Sequence, residues 1–242
     1  GEPLVRRAIN ANLRVGTAEA ARRVAAFAAK SSVNDEMRTE AIATLGVWPK
    51  PSILDRVDGT SHGPVQHDTG TVRGVATRDT TVARTALASI VDPLFASGSP
   101  AVQSALIDAI GRLRLQSAAQ LVYGKVSGGA SPEARIAALR SLALLGDARI
   151  AEAVRGALQD KEPSVRMAAL SAIPPLKLPV ATSEELLASV VGKGSVAEQQ
   201  SALEALGRIE GTTGRAALTR LVDQLAQGKI APEIQLAVAE AA

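Results

Sequence analysis

The chain has 242 residues and no cysteine. That removes disulfides, thiolate metal sites, CxxCH haem attachment and cysteine nucleophiles from within it. Aromatic residues make up only 2%, with one Trp and one Tyr, too few for the aromatic positions that a tetratricopeptide array needs in every unit or for a row of base-stacking platforms. No uninterrupted apolar run approaches the roughly 18 residues needed to cross a bilayer, and no signal peptide is visible. There are two histidines, His62 and His67, both in one Gly/Pro-rich stretch. A Ser-His-Asp triad would require that stretch to meet a distant serine. The phosphate-loop, dinucleotide-binding and nucleophile-elbow patterns are missing; the glycine-lysine pairs at Gly124 and Gly192 lack the upstream glycine. No catalytic constellation and no cofactor site is legible in this chain.

What is present is apolar and aliphatic: 46% of residues are hydrophobic, chiefly Ala, Leu, Val and Ile, a mixture that suits closely approaching helices. The formal net charge of +3 is uneven. The first 30 residues carry six basic groups (Arg6, Arg7, Arg14, Arg22, Arg23, Lys30) against Glu2 and Glu19, a local +4, so the remainder sums to −1. A solvated face or contact with a neighbouring domain accounts for this basic end.

A helix-opening phrase recurs along the chain: PLVRRAIN from Pro3, DEMRTEAI from Asp35, PAVQSALI from Pro100, PEARIAAL from Pro132, PSVRMAAL from Pro163, VAEQQSAL from Val196 and PEIQLAVA from Pro232. Successive starts are 32, 65, 32, 31, 33 and 36 residues apart, the second step being close to a doubled period. Counted from each start, offsets +2, +6, +7 and +10 are mainly apolar, as in Ala134, Ala138, Leu139 and Leu142. At about 100° per residue these positions share one arc of a helix. Pro in the first turn costs no intrahelical bond, and Ser99 and Ser131 stand as N-caps before Pro100 and Pro132. A second amphipathic stretch precedes each phrase, at residues 17–30, 81–96, 115–127, 148–159, 183–192 and 213–227. Each unit therefore reads as an antiparallel helix pair. Gly46, Gly111, Gly146 and Gly207 read as left-handed ends of the second helices.

The stretches LQDKEPSVRMAALSAI (158–173) and SPEARIAALRSLALLGD (131–147) resemble the HEAT-repeat family, with its Pro-x-Val/Ala-Arg-x-x-Ala-Leu second helix. The resemblance implies an all-α fold, a right-handed α-solenoid of antiparallel helix pairs running as one domain over residues 1–242. It also implies a structural arginine at offset +3, matched by Arg6, Arg38, Arg135 and Arg166 and replaced by Gln103, Gln199 and Gln235. At about 300° this position lies within the apolar arc, so its donors need carbonyls or carboxylates, with Asp160 a candidate partner for Arg166.

The doubled step contains one irregular insertion, residues 49–79, whose prolines and glycines rule out a helix pair. A long loop inside a compact array is usually functional or disordered. Replacing it by a four-residue turn is expected to leave the helical fold intact; collapse of the fold would instead make the loop part of the core, with Trp48 and Ile53 as its anchors. Its protein-interaction candidates are Trp48, Asp55, Arg56, Asp58, His62 and His67; His62, His67 and Asp68 are weak metal candidates whose spacing matches no recognised ligand pattern. Trp48 reads as core packing more readily than as an exposed anchor. The segment AIATLGVWPKPSILDRVDGT (41–60) also resembles the HEAT segment of large exported bacterial proteins, in which a sugar-dehydrogenase-like propeller precedes the repeats and a c-type cytochrome domain follows. This implies a spacer within an exported or periplasmic oxidoreductase, with neither active site on this chain. The chain opens on Gly1 and stops inside AVAEAA, from which a fragment of a multidomain protein with a tag-derived glycine is expected.

These features favour a noncatalytic scaffold that binds protein domains. The oxidoreductase accessory segment is an alternative. Nucleic acid is disfavoured as a partner because the outward offsets read Glu36, Asp108, Arg112, Glu133, Arg140, Glu204, Arg208 and Glu240, a mixed-sign face.

Overall fold

A computed structural model of the protein describes residues 1–55, 58–61, 70–72, 75–127, 129–209 and 212–242. They form two compact units, Gly1–Asp147 and Ala148–Ala242, each a stack of antiparallel helix pairs. The first unit contains α1 (Glu2–Val15), α2 (Ala18–Ala29), α3 (Asp35–Gly46), a small antiparallel hairpin of β1 (Gly70–Val72) and β2 (Val75–Thr77), α4 (Thr80–Ala88), α5 (Val91–Ser97), α6 (Pro100–Leu113), a 3-10 turn Gln116–Ala118, α7 (Ala119–Tyr123) and α8 (Pro132–Leu145). The second contains α9 (Ile150–Ala157), α10 (Pro163–Ala172), a 3-10 turn Pro174–Leu176, α11 (Val180–Ala188), α12 (Val196–Gly207), α13 (Thr212–Ala226) and α14 (Pro232–Ala241).

All seven phrases fall on helices: α1, α3, α6, α8, α10, α12 and α14. Ser99 and Ser131 accept the backbone N–H of Val102 and Ala134, as their positions imply, and Ser195 and Glu198 close a reciprocal capping box at α12. The apolar arc is the core. Val102, Leu106, Ile107 and Ile110 in α6, and Ala134, Ala138, Leu139 and Leu142 in α8, are all buried. Second helices stack on one another, α1 on α3, α3 on α6 and α6 on α8 in the first unit, and α10 on α12 and α12 on α14 in the second.

In α6, α8, α10, α12 and α14 the offset +3 side chain ties the second helix to the turn that leads into it, whereas Arg6 bonds Glu36 and Glu40 of α3 and Arg38 bonds Ala28 O and Asp35. Arg135 Nη1 donates to Ala130 O, and Arg166 Nη1 donates to Lys161 O at 3.1 Å. The glutamines do the same work: Gln103 Nε2 reaches Gly98 O (2.9 Å), Gln199 Nε2 reaches Gly194 O (2.8 Å) and Gln235 Nε2 reaches Ile230 O (3.0 Å). In each case the acceptor lies five residues earlier, so Arg and Gln serve as interchangeable donors to a turn carbonyl that the fold would otherwise leave under-satisfied. Asp160 does bind Arg166, but through its backbone oxygen (2.7 Å). The carboxylate partner of Arg166 is Glu198 of the next pair, at 2.8 Å.

The glycines behave differently from the expectation. Only Gly146 is a left-handed C-cap (φ 67°), whereas α3, α6 and α12 are capped by Val47, Arg114 and Arg208. Gly46, Gly111 and Gly207 stand at offset +11 and permit close approach of the next second helix. A Cβ on Gly111 would lie 2.7 Å from Ser141 Cα, one on Gly46 3.3 Å from Ala109 Cα, and one on Gly207 2.9 Å from Ala241 Cα. The three residues met are all at offset +9 of the following phrase. Gly111→Ala is therefore expected to destabilise the first unit by about 1–3 kcal/mol, since backbone faces the new methyl group. A chemical denaturation midpoint equal to the parent's would remove the close-approach explanation.

Candidate interaction surfaces

The root of the insertion is built onto the C-terminal end of α1. Trp48 is fully buried (0% exposed) just beyond α3, and Pro49 O accepts the backbone N–H of Arg78 at 2.9 Å, so the two ends of the insertion meet. The Arg78 guanidinium lies 5.7 Å from the centroid of the Trp48 ring, a cation–π arrangement. Its Nη1 donates to Leu13 O and its Nη2 to Arg14 O at 3.1 Å, placing a cation at the negative end of the α1 dipole. Gly16 is left-handed (φ 71°), and a Cβ there would lie 2.6 Å from Arg78 Cζ, so both the backbone and the guanidinium require glycine.

The first arm of the insertion folds back along the same helix. Asn10 Nδ2 donates to Asp55 Oδ2, and Arg14 Nη2 donates to Leu54 O at 2.7 Å. Asp55 N donates to Thr60 O (2.7 Å), and Asp58 accepts from Thr60 N at 2.9 Å and Thr60 Oγ1 at 2.7 Å; a bridge joins Leu54 and Ser61. These are local side-chain bonds that specify a turn.

Trp48 packs in the core, as the sequence favours. Trp48 offers no surface to a partner, because the root of the insertion closes over it. The Asp55 and Asp58 carboxylates hold the turn and its contact with α1. Ile53 is 55% exposed; the residue that ties the insertion to α1 is Arg78. Arg56, His62, His67 and Asp68 lie outside the described residues. Among the described residues there is no group of three or more His, Cys, Asp or Glu suited to hold a metal ion, and no helix long and apolar enough to cross a membrane.

The roles of Arg78 and Pro49 refine the deletion experiment. Replacing residues 51–76 by a short turn while keeping Trp48, Pro49 and Arg78 is expected to leave helical circular dichroism near the parent's, because the ends already touch. Removing residues 49–79 entirely is expected to cost a further ~1–3 kcal/mol, since the α1 carbonyls lose a charged donor. Equal melting of the two deletions would exclude Arg78 as the anchor.

The second helices present the other surface. In the first unit it carries Asp108 with Arg112 and Arg140 nearby; burial pushes the Asp108 carboxyl up, and the two guanidiniums pull it back only in part. In the second unit, α10, α12 and α14 border a groove of about 730 Å³, with Met167, Ala197, Leu236 and Ala237 in its apolar lining and Glu204, Arg208 and Glu240 as its charged groups. Leu236 is 69% exposed. Arg208 pairs with Glu204 at 2.6 Å, so the open face has no single-sign stripe for a phosphate backbone to follow.

Between successive pairs of the second unit, Glu198 occupies offset +2, an apolar position elsewhere. Burial pushes its carboxyl up, but the Ser195 backbone N–H and the Arg166 guanidinium outweigh burial and hold it below the usual carboxylate range. A depressed native value means that the stabilisation is present above the unfolded carboxylate range and is lost as pH falls through the native value. Acidification is therefore expected to lower the melting temperature of the parent more than that of Glu198→Gln. Parallel pH profiles would exclude the pair as a source of acid sensitivity.

Residues 124–183 match the family model for HEAT repeats. That stretch is similar to HEAT repeats. The matched stretch contains α8 and α10, and the same phrase continues on both sides at Pro100 and Val196. Among solved structures, an engineered protein is 15% identical over 91% of this chain and 94% of its own, with a TM-score of 0.46. The complex of CpcE and CpcF of phycocyanin lyase from Nostoc sp. PCC7120 is 16% identical over 94% of this chain and 83% of its own, with a TM-score of 0.48. Likenesses at this level carry no inference about activity. No curated protein matches the chain. The narrower resemblance of residues 41–60 to exported oxidoreductases gains no support from these matches.

Proposed function

We propose that this chain is a noncatalytic HEAT-repeat scaffold that binds protein segments on the face formed by its second helices. The observation that carries the reading is the groove of about 730 Å³ over α10, α12 and α14, where Leu236 stands 69% exposed beside Met167, Ala197 and Ala237. An exposed apolar side chain in a groove bordered by paired charges is the arrangement of an interaction surface, with an apolar centre and a polar rim. The mechanism is geometric: stacked pairs hold the groove in one shape, so a bound segment loses its own freedom without requiring the scaffold to rearrange.

A photo-crosslinking residue placed at position 236 in the producing cell tests this. Crosslinks to a defined protein at 236, absent when the same residue replaces Val180, which is exposed on a first helix, are the expected result. Equal labelling at both positions, or none at 236, would overturn the assignment of the face.

A further inference from the structure

We propose that the crevice of about 310 Å³ in the second unit, lined by Arg166 and Lys193 together with Leu158, Leu170 and Val190, binds an aliphatic carboxylate. This site is separate from the groove over α10, α12 and α14 and does not depend on the scaffold reading.

Arg166 is held in place before any ligand arrives. Its Nη1 donates to Asp160 O at 2.7 Å and Lys161 O at 3.1 Å, and its Nε donates to Glu198 Oε1 at 2.8 Å. Its Nη2 donates to no protein group among the described residues and is not sealed from solvent. A guanidinium fixed along two edges with its third facing a cavity has already lost the side-chain freedom that binding would otherwise have to remove. Lys193 lies on the same lining and pairs with no carboxylate among the described residues.

The carboxylates in the lining do not compete for a ligand's cation. Glu198 uses one oxygen for Arg166 and the other for Ser195 N at 2.9 Å. Asp160 accepts from Glu162 N at 2.9 Å. The two cations of the lining, Arg166 and Lys193, are donors, so the ligand they would hold offers acceptors. Arg166 and Lys193 against Asp160 and Glu198 sum to no formal charge, which favours a monoanion over a phosphate dianion. The floor decides the rest: Leu158, Leu170 and Val190 are buried core residues whose surfaces line the cavity, so they receive an alkyl group. The volume lies near the lower end of the roughly 300–1,000 Å³ span of small-ligand sites, the scale of one branched aliphatic side chain with its carboxylate. Such a ligand is either a free short-chain acid or the C-terminal Leu or Val of a peptide.

The test uses the whole chain, titrated by calorimetry and by backbone amide NMR with isovalerate, N-acetyl-leucine, N-acetyl-leucinamide and inorganic phosphate. The expected result is saturable binding of at least one carboxylate, with shifts confined to residues lining the crevice, and binding of the amide and of phosphate about tenfold weaker or less. Lys193→Gln is expected to weaken the carboxylate about threefold or more, and Gln159→Trp, at an exposed position on the lining, to abolish it. Both variants should keep the parent's circular dichroism. Tighter binding of N-acetyl-leucine assigns the site to a peptide C-terminus, and tighter binding of isovalerate to a free acid. Equal binding of acid and amide, phosphate binding as tight as isovalerate, no saturable binding, or titrations unchanged in both variants would overturn the proposal.

Discussion

Replacing Trp48 by alanine should lower the unfolding free energy of the first unit by about 3–5 kcal/mol, the range for a large aromatic side chain removed from a closed core. Trp48 is 0% exposed and is the largest of the fully buried side chains. It also supports Arg78, whose guanidinium lies 5.7 Å from the ring centroid and caps the carbonyls of Leu13 and Arg14. Two losses combine: a cavity where the ring stood, and a guanidinium whose aromatic platform is gone. Trp48→Phe separates these effects from the indole N–H. Nε1 is buried without a hydrogen-bond partner among the described residues, so phenylalanine removes a group with no bond there while keeping an aromatic face for Arg78. Its cost should stay below about 1.5 kcal/mol, as for conservative repacking. The measurement is urea unfolding followed by circular dichroism, since the alanine variant has no tryptophan left to report. A loss under about 1 kcal/mol for Trp48→Ala would show that the insertion root does not close over the ring.

The second large effect is expected at Leu139→Ala, which should cost about 2–5 kcal/mol. Leu139 sits at offset +7 on α8, is 1% exposed, and belongs to the helix that stacks directly on α6. The close approach at Gly111 and Ser141 leaves the two helices little room to collapse into a void. Leu144 on the same helix is 45% exposed, so Leu144→Ala should change stability by less than about 0.5 kcal/mol. Calorimetric unfolding of the pair compares the two faces of one helix. Similar losses at both positions would mean that the phrase register is misassigned.

Much of the fold was legible because it rests on local rules. The seven phrases became helices, Ser99 and Ser131 became caps, and the apolar offsets became the core. Each of these follows from helix geometry and from the needs of helix ends, which depend on residues only a few positions apart. The offset +3 side chain was legible as structural, yet its glutamine form looked like a departure until the turn carbonyls showed that either residue supplies the same donor.

What was misread depended on partners far away in the chain. Gly46, Gly111 and Gly207 resembled helix stops because they sit near helix ends, but their reason is the backbone of the next second helix about one repeat further on. Arg78, inside the irregular insertion, gives no local signal of its role; it is a cap for a helix 64 residues earlier. Glu198 broke the apolar pattern at offset +2, and only the neighbouring pair explains it, by supplying Arg166 at a distance of 32 residues. A charged residue at a core offset, opposite an arginine one repeat before, was the available signal.

The sequence by itself therefore determined the helical repeat, the boundaries of its units, the apolar arc and the absence of recognised catalytic motifs, because hydrophobic period, capping chemistry and residue inventory are properties of short segments. Tertiary structure alone decided which side chains remain open to bind anything. It buried Trp48, committed Asp55 and Asp58 to a turn, left Leu236 exposed in a groove and left one edge of Arg166 facing a crevice. Exposure and spare hydrogen-bonding capacity are what remain after every neighbour has been placed, and those neighbours come from other repeats.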